Sequence, residues 1–423
     1  MKYILPSLML LLFAASCQKN NGGSPKPVNG DVVYVESNDY RDNQNKIIAY
    51  LNKGDGKLEE LPGSPFPAGG SGVGDPTQAL GPLDSDNQLK ISSDGHFLLA
   101  VNAGSNTIAV FNILDDGSLI SVSGSPFSSD GQTPVSIGTK DNYIYVVNKA
   151  QDSVHKITTK PNYTVFTIDY KGTLTPVPHS TIELSTGASP AQALVSNDGK
   201  FLFGADFLAF MLQPAQGTLR SFTIDSNGKL DAVAGTPQAI PMGGALGLAQ
   251  NPRDNTLYVG SPVTGQVDVY GVDGSSGALN FVNSVTSGPA SCWLRTAHDG
   301  SNLYALNSAE NSISVFNSSS TKSLSLMNKV FLKESGPLFT AGGKQNSTSE
   351  DFSFEFSPTQ NFVYVVSQFA NPDFSVGNFN YLHVLEVAAD GNLTETKDPT
   401  LLPVANIFRP QGVEVVHFSN LSK

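Results

Sequence analysis

Residues 288–300 read GPASCWLRTAHDG and bring a thiol (Cys292), the single tryptophan of the chain (Trp293), a guanidinium (Arg295) and an imidazole (His298) close together in sequence. A thiol and an imidazole sharing a hydrogen bond make a nucleophile. A guanidinium offers five N–H donors to a developing oxyanion, and an indole offers a face for stacking on a sugar ring. Carboxylates that could activate water occur in SEDFSFEF (Asp351, Glu355) and in RPQGVEVV (Glu414), the second beside Arg409 and Gln411. Gln88 and Gln192 add amides able to bind hydroxyl groups. Whether any of these meet depends on the elements that carry them.

Those elements repeat. DGKLEELPGSPF (55–66), DGSLISVSGSPF (116–127) and NGKLDAVAGTPQ (227–238) align without a gap. Their Gly-x-Leu core recurs at Gly172–Leu174, Gly277–Leu279 and Gly391–Leu393, with a degenerate copy at Lys322–Leu324. Glycine supplies the positive φ of a tight turn, and leucine starts the outgoing strand. Each copy follows a hairpin pattern such as DGHFLLAVNAGSNTIAVFNI (94–113), with two apolar runs around a polar turn. Before most hairpins lies one further short strand: 88–92, 191–196, 247–251, 291–296 and 352–357. Four strands per unit at this period describe propeller blades. The first unit lacks its innermost strand, and RPQGVEVVHF (409–418) is a strand without a unit. The expected fold is therefore all-β: a seven-bladed β-propeller of four-stranded antiparallel blades over residues 31–419. The C-terminal strand joins blade 1 and closes the ring.

The repeat then sorts the chemistry. Cys292 starts an inner strand and His298 sits in the turn after it. Six residues at about 3.3 Å each separate them by roughly 20 Å, which excludes a thiol–imidazole dyad and leaves Cys292 as a small apolar side chain packed between blades. Counting back six from the turn residues Asp94, Asp198 and Asp299 aligns Gln88, Gln192 and Trp293 near the tunnel mouth. Trp293 has two open readings there, stacking on a ligand or packing between blades. Arg295, two residues on, is expected to pair with Glu355 or Glu414, either as a structural ion pair or as the polar base of a site. Asp351, Arg409 and Gln411 complete the expected mouth lining.

The six histidines are scattered, so no zinc site is expected; the acidic loops 38–45 and 84–87 could hold Ca²⁺ but, without EF-hand spacing, read as solvated turns. No phosphate-cradling loop, dinucleotide fingerprint or nucleophile elbow is present, so no cofactor is expected. The net charge of −12, without a basic run, excludes nucleic acid and an anionic membrane surface as electrostatic partners. MKYILPSLMLLLFAASC (1–17) reads as a signal segment with a lipobox, making Cys17 the lipidated residue and 18–30 a polar tether. Cys292 is then left without a disulfide partner. The expected state is a monomer, anchored to the cell envelope by lipid alone. Gln18 directs the expectation to the outer membrane.

The phrases ISSDGHFLLAVNAGSNTIAVF, GSPF and GPASCWLRTAHDGSNLYALNSAENSISVF resemble the lactonase-type seven-bladed propeller family, which includes 6-phosphogluconolactonases. The resemblance implies hydrolysis of a sugar lactone; from the residue types available at the mouth, Asp351 or Glu355 would activate water and Arg295 or Arg409 would stabilise the oxyanion. Lactonases of that family share Pro-His-x-His and Pro-Arg-His segments. Here the corresponding places read Ser189-Pro-Ala-Gln192 and Gly288-Pro-Ala-Ser291, and Arg409-Pro-Gln411 has the order changed. The alternative is a non-catalytic propeller binding a glycan, another small ligand or a protein. The lipobox is tested separately: in a bacterial host the chain should incorporate an alkynyl fatty-acid label, and Cys17→Ser should abolish it. An unlabelled wild-type chain would contradict the assignment.

Overall fold

The Gly-x-Leu turn is the joint from which each blade is built. Gly56, Gly117, Gly172, Gly228, Gly277 and Gly391 all have φ between +74° and +84°, and Lys322 of the degenerate copy takes φ +55°. These turns also lie tight against the preceding blade. A Cβ at Gly117 would stand 2.6 Å from Val32, and one at Gly391 2.3 Å from Asn302. The carbonyls of the same two glycines accept hydrogen bonds from Tyr34 (2.7 Å) and Tyr304 (2.9 Å) of the preceding blade.

The computed structural model describes residues 27–74, 83–152, 154–209, 214–240, 243–333, 338–341, 344–347, 349–370, 376–405 and 408–419. Cys17 and residues 18–26 of the tether lie outside them. Seven sheets of propeller type are present among the described residues, each antiparallel and laid out from the inside outward. Blade 6 is representative, with strands Ser291–Thr296, Asn302–Asn307, Ser312–Asn317 and Ser325–Phe331 in that order. The inner strands of blades 2 to 5 are Leu89–Ile91, Pro134–Lys140, Pro190–Val195 and Leu248–Gln250, and that of blade 7 is Ser349–Phe356. Blade 3's inner strand was not evident from its sequence, whose run is interrupted by Gly138 and two lysine- and threonine-bearing positions. A further hairpin, Leu338–Ala341 with Lys344–Ser347, precedes blade 7 and was not anticipated.

Where the repeat carries Gly-Ser-Pro, the outer strand breaks, because proline has no N–H to give the ladder. At the break the preceding serine takes up an N–H of the neighbouring strand: Ser64 Oγ accepts from the Ala49 N–H (3.0 Å) and Ser125 Oγ from that of Val110 (2.9 Å).

The ring closes as expected. Gln411–Phe418 pairs with Gly30–Glu36, the inner strand of blade 1 being supplied by the far end of the chain. Asp31 seals the seam with blade 7. It accepts from Tyr364 Oη (2.7 Å) and Ser357 Oγ (2.9 Å) and meets His417 Nδ1 at 2.7 Å, while Asn52 Nδ2 donates to the same tyrosine hydroxyl (2.8 Å). Apolar residues fill the spaces between neighbouring blades, so each interface is a core of its own.

Removing the Tyr364 hydroxyl leaves a buried carboxylate oxygen and a buried amide without that partner. Tyr364→Phe should therefore lower unfolding stability by about 1–3 kcal/mol, measured by urea denaturation; an unchanged midpoint would contradict the role of this seam.

Candidate functional site

Cross-strand register places one residue from each inner strand on a single level of the central channel. Opposite Tyr34, Leu99, Tyr145, Phe203, Tyr258, Tyr304 and Tyr364 stand Glu414, Lys90, Gly138, Leu194, Ala249, Arg295 and Glu355. Arg295, Glu355, Glu414 and Lys90 come from the consecutive blades 6, 7, 1 and 2 and form a charged arc. Gly138, Leu194 and Ala249 of blades 3 to 5 are small or apolar. They leave room for a cavity of about 240 Å³, lined also by Gln192, Gln250, Thr139, Asn197 and Thr296. Several of these residues lie at or beyond the ends of the inner strands, so the cavity opens on the lower face, where those strands finish.

The upper face, where the inner strands start, is closed by the chain itself. Residues 83–88 drop into the channel mouth as a plug. The Asp86 N–H donates to Ala191 O (3.1 Å), Ile137 N–H to Asn87 O (2.9 Å), Lys149 Nζ to Leu83 O (2.9 Å) and Trp293 Nε1 to Ser85 O (2.9 Å). The plug is thereby tied to blades 3, 4 and 6. Its anchor is Asp86, fully buried and held end-on by Arg295 (Nη1–Oδ2 2.7 Å, Nη2–Oδ1 3.0 Å).

Arg295 Nε donates to Glu355 (2.9 Å), and the remaining N–H groups go to Leu294 O and Asn87 Oδ1, so all five donors are used. Burial works against the Arg295 charge, but Asp86 and Glu355 more than offset it and raise its pKa. Burial likewise opposes the Glu355 charge, and Arg295 and Lys90 together still hold its carboxyl below the usual range. Lys90 Nζ donates to Glu414 (2.6 Å). Burial pushes the Glu414 carboxyl up to about 7, against the pull of Lys90 and with the help of Glu355.

The outcome for the sequence expectations is mixed. Arg295, Glu355 and Glu414 do come together, and Arg295 pairs with Glu355 and not Glu414. Trp293 does not look into the channel. Its ring is 1% exposed, packed edge-on against Phe352 (5.0 Å) between blades 6 and 7. The cause is a β-bulge: register runs from Ser291↔Asn307 directly to Leu294↔Ala305, which breaks the alternation that would have put Trp293 and Arg295 on one face. Gln88 is also buried and serves the plug, donating to Ser85; Gln192 is buried and donates to Asp86, and it does stand in the cavity lining. Asp351 is fully enclosed, and burial together with Glu350 pushes its carboxyl well above the usual range, so it is neutral and unsuited to be the expected base. Arg409 and Gln411 are buried near the start of blade 1's inner strand, off the cavity. Cys292 is buried at the start of its strand and His298 sits in the exposed turn beyond its end, as their spacing required.

Lys90 and Asp86 were missed. Counting back four from Asp94 and Asp299, two less than for Gln88 and Trp293, finds Lys90 and Arg295 together. Asp86 lies in a loop with no counterpart in the repeat.

A family model described as Lactonase, 7-bladed beta-propeller matches residues 43–163 and 236–368. The chain belongs to this family. No curated protein matches it. Among solved structures, the lactonase-type propeller resembles a protein from Lactobacillus plantarum (16% identity, TM-score 0.64, covering 92% of this chain and 100% of that one). It also resembles the periplasmic gluconolactonase PpgL of Pseudomonas aeruginosa (17% identity, TM-score 0.62, covering 92% and 99%). At these identities the likeness is one of fold.

The propeller holds one further arrangement with the atom order of a hydrolase triad. Ser367 Oγ and His383 Nε2 are 2.8 Å apart, and His383 Nδ1 and Glu395 Oε1 are 2.7 Å apart. Ser367 and His383 are both 0% exposed, so no substrate reaches them, and the relay ties the outer three strands of blade 7 together.

Replacing Arg295 by methionine would leave Asp86 buried without its cation and Glu355 with Lys90 alone. Arg295→Met should cost about 3–5 kcal/mol of stability in urea denaturation. A change within about 0.5 kcal/mol, typical of an uninvolved surface residue, would show that the clasp carries no such load.

Proposed function

We propose that this propeller hydrolyses a small sugar lactone in the lower central cavity. The observation that carries the reading is the charged group of Arg295, Glu355 and Lys90 in the wall of a cavity otherwise lined by small, apolar and uncharged polar residues, with Glu414 hydrogen-bonded to Lys90 at 2.6 Å. Family membership supports the reaction class, and the gluconolactonase of similar fold points to the same kind of substrate.

The roles differ from those the sequence suggested. Arg295 has no donor left for an oxyanion; its work is to hold the plug and keep Glu355 ionised. Glu414, with its carboxyl near neutrality, takes a proton from water as the water attacks the lactone carbonyl, then returns it to the departing ring oxygen. Lys90 makes one hydrogen bond among the described residues, to Glu414, and keeps donors for the carbonyl oxygen as it gains charge. Glu355 sets the field around both. The ring opens to a hydroxy acid, with water supplying the added oxygen and both hydrogens.

A second reading, a non-catalytic propeller that binds a polyol in the same cavity, is favoured by the saturation of Arg295 and by a lining without histidine. The segment at residues 1–17 supports export and anchoring through Cys17 at the cell envelope, with the outer membrane as the site.

Assay of the soluble domain against a panel of aldonolactones, with and without a 6-phosphate, separates these readings. Hydrolysis should exceed the buffer rate, and kcat/KM should rise with pH through about 7 as Glu414 loses its proton. Glu414→Gln should flatten that limb and lower the rate about 10²–10⁴-fold. Lactones that bind but are opened no faster than in buffer would replace the first reading by the second.

A further inference from the structure

Arg409 is a buried arginine, and its situation is the reverse of that of Arg295, which two carboxylates hold. It is 3% exposed, and Nη1 makes a long hydrogen bond to Asn380 Oδ1 (3.4 Å). Among the described residues, Nε and Nη2 have no partner and no carboxylate pairs with the guanidinium. Those two nitrogens form one edge of the guanidinium, the coplanar fork that matches two oxygens of a carboxylate. A buried cation without a counter-charge is costly.

The surroundings are built and are polar. Asn380 is fixed by its own donation to Phe408 O (3.1 Å), and Gln368 Nε2 holds Pro410 O (3.0 Å). Two residues beyond Arg409, the Gln411 amide is fully buried, and its oxygen and nitrogen have no partner among the described residues. Opposite Gln411 across the strand pair stands Glu36. Its Oε1 accepts from Asn45 (2.6 Å) and its Oε2 has no partner. Burial keeps this carboxyl well above its usual range, hence neutral. The site therefore holds one uncompensated positive charge among neutral donors. The neighbouring Phe408 lines a surface groove of about 110 Å³ with Arg41, Lys46 and Asp39, the last paired with Arg41.

We infer that Arg409, with Gln411, forms a binding site for a carboxylate monoanion between blades 7 and 1, separate from the central cavity. The single charge and the planar fork favour a carboxylate over a phosphate dianion, which would leave net negative charge buried.

Acetate, D-gluconate and inorganic phosphate, titrated into the whole chain by calorimetry in a buffer free of other carboxylates, test this. Acetate or gluconate should bind and phosphate should not. Arg409→Lys, which keeps the charge and loses the fork, should weaken carboxylate binding at least tenfold, and Gln411→Leu should weaken it less. Should Arg409→Lys fail to fold, Gln411→Leu and a crystal grown in acetate carry the test, with acetate expected on the Arg409 Nε–Nη2 edge. Lys90→Met, which alters the central cavity, should leave the acetate affinity unchanged. Absence of carboxylate binding to the wild type, equal binding by Arg409→Lys, preference for phosphate, or loss of acetate binding in Lys90→Met would each overturn the assignment.

Discussion

The clasp between Asp86 and Arg295 is the interaction on which the rest of the channel depends. A propeller ring leaves its axis open, and polar groups along it must be hydrated or paired. Here the chain folds a loop of its own into the upper mouth and fixes it with one buried carboxylate. That carboxylate needs a cation, which Arg295 supplies; Arg295 in turn fixes Glu355, whose charge bears on Glu414 and Lys90. One loop residue thereby fixes the arginine whose charge bears on Glu355, Glu414 and Lys90.

The clasp also decides which end of the channel can act. With residues 83–88 seated above, the free volume lies below the charged arc, against the small side chains of blades 3 to 5. The asymmetry follows from sequence at one repeat position. Glycine, leucine and alanine there leave space on one side, while two acids and two bases on the other fill the wall with ions. A ligand with a polar edge fits such a cavity better than a uniformly charged one.

Much of this was legible in the sequence, for physical reasons that differ by element. The Gly-x-Leu turn needs a positive φ and a missing side chain, so it left a mark in every blade, even as Lys322 in the degenerate one. Ring closure was legible because a lone apolar strand at 409–418 had only one unit to complete. That Arg295 would meet an inner-strand acid was legible, but Glu355 and Glu414 remained open until the register of blades 6 and 7 chose Glu355. Trp293 was not placed, because a bulge leaves no consistent sequence signal and shifts every side chain beyond it to the other face. The plug was not legible either: its residues read as a polar turn, and only the folded ring shows that the turn points inward. The open fork of Arg409 depends on burial by two blades distant in sequence, which no local pattern records.

Trp293 provides the most direct measurement. It is the single tryptophan, and its indole nitrogen is bonded to the plug itself. With the upper mouth sealed, its emission should be blue-shifted and poorly quenched by acrylamide, and Asp86→Asn should make it markedly more quenchable. Emission and quenching typical of a solvent-exposed indole in the wild-type protein would contradict a sealed mouth, and with it the assignment of the lower cavity as the site.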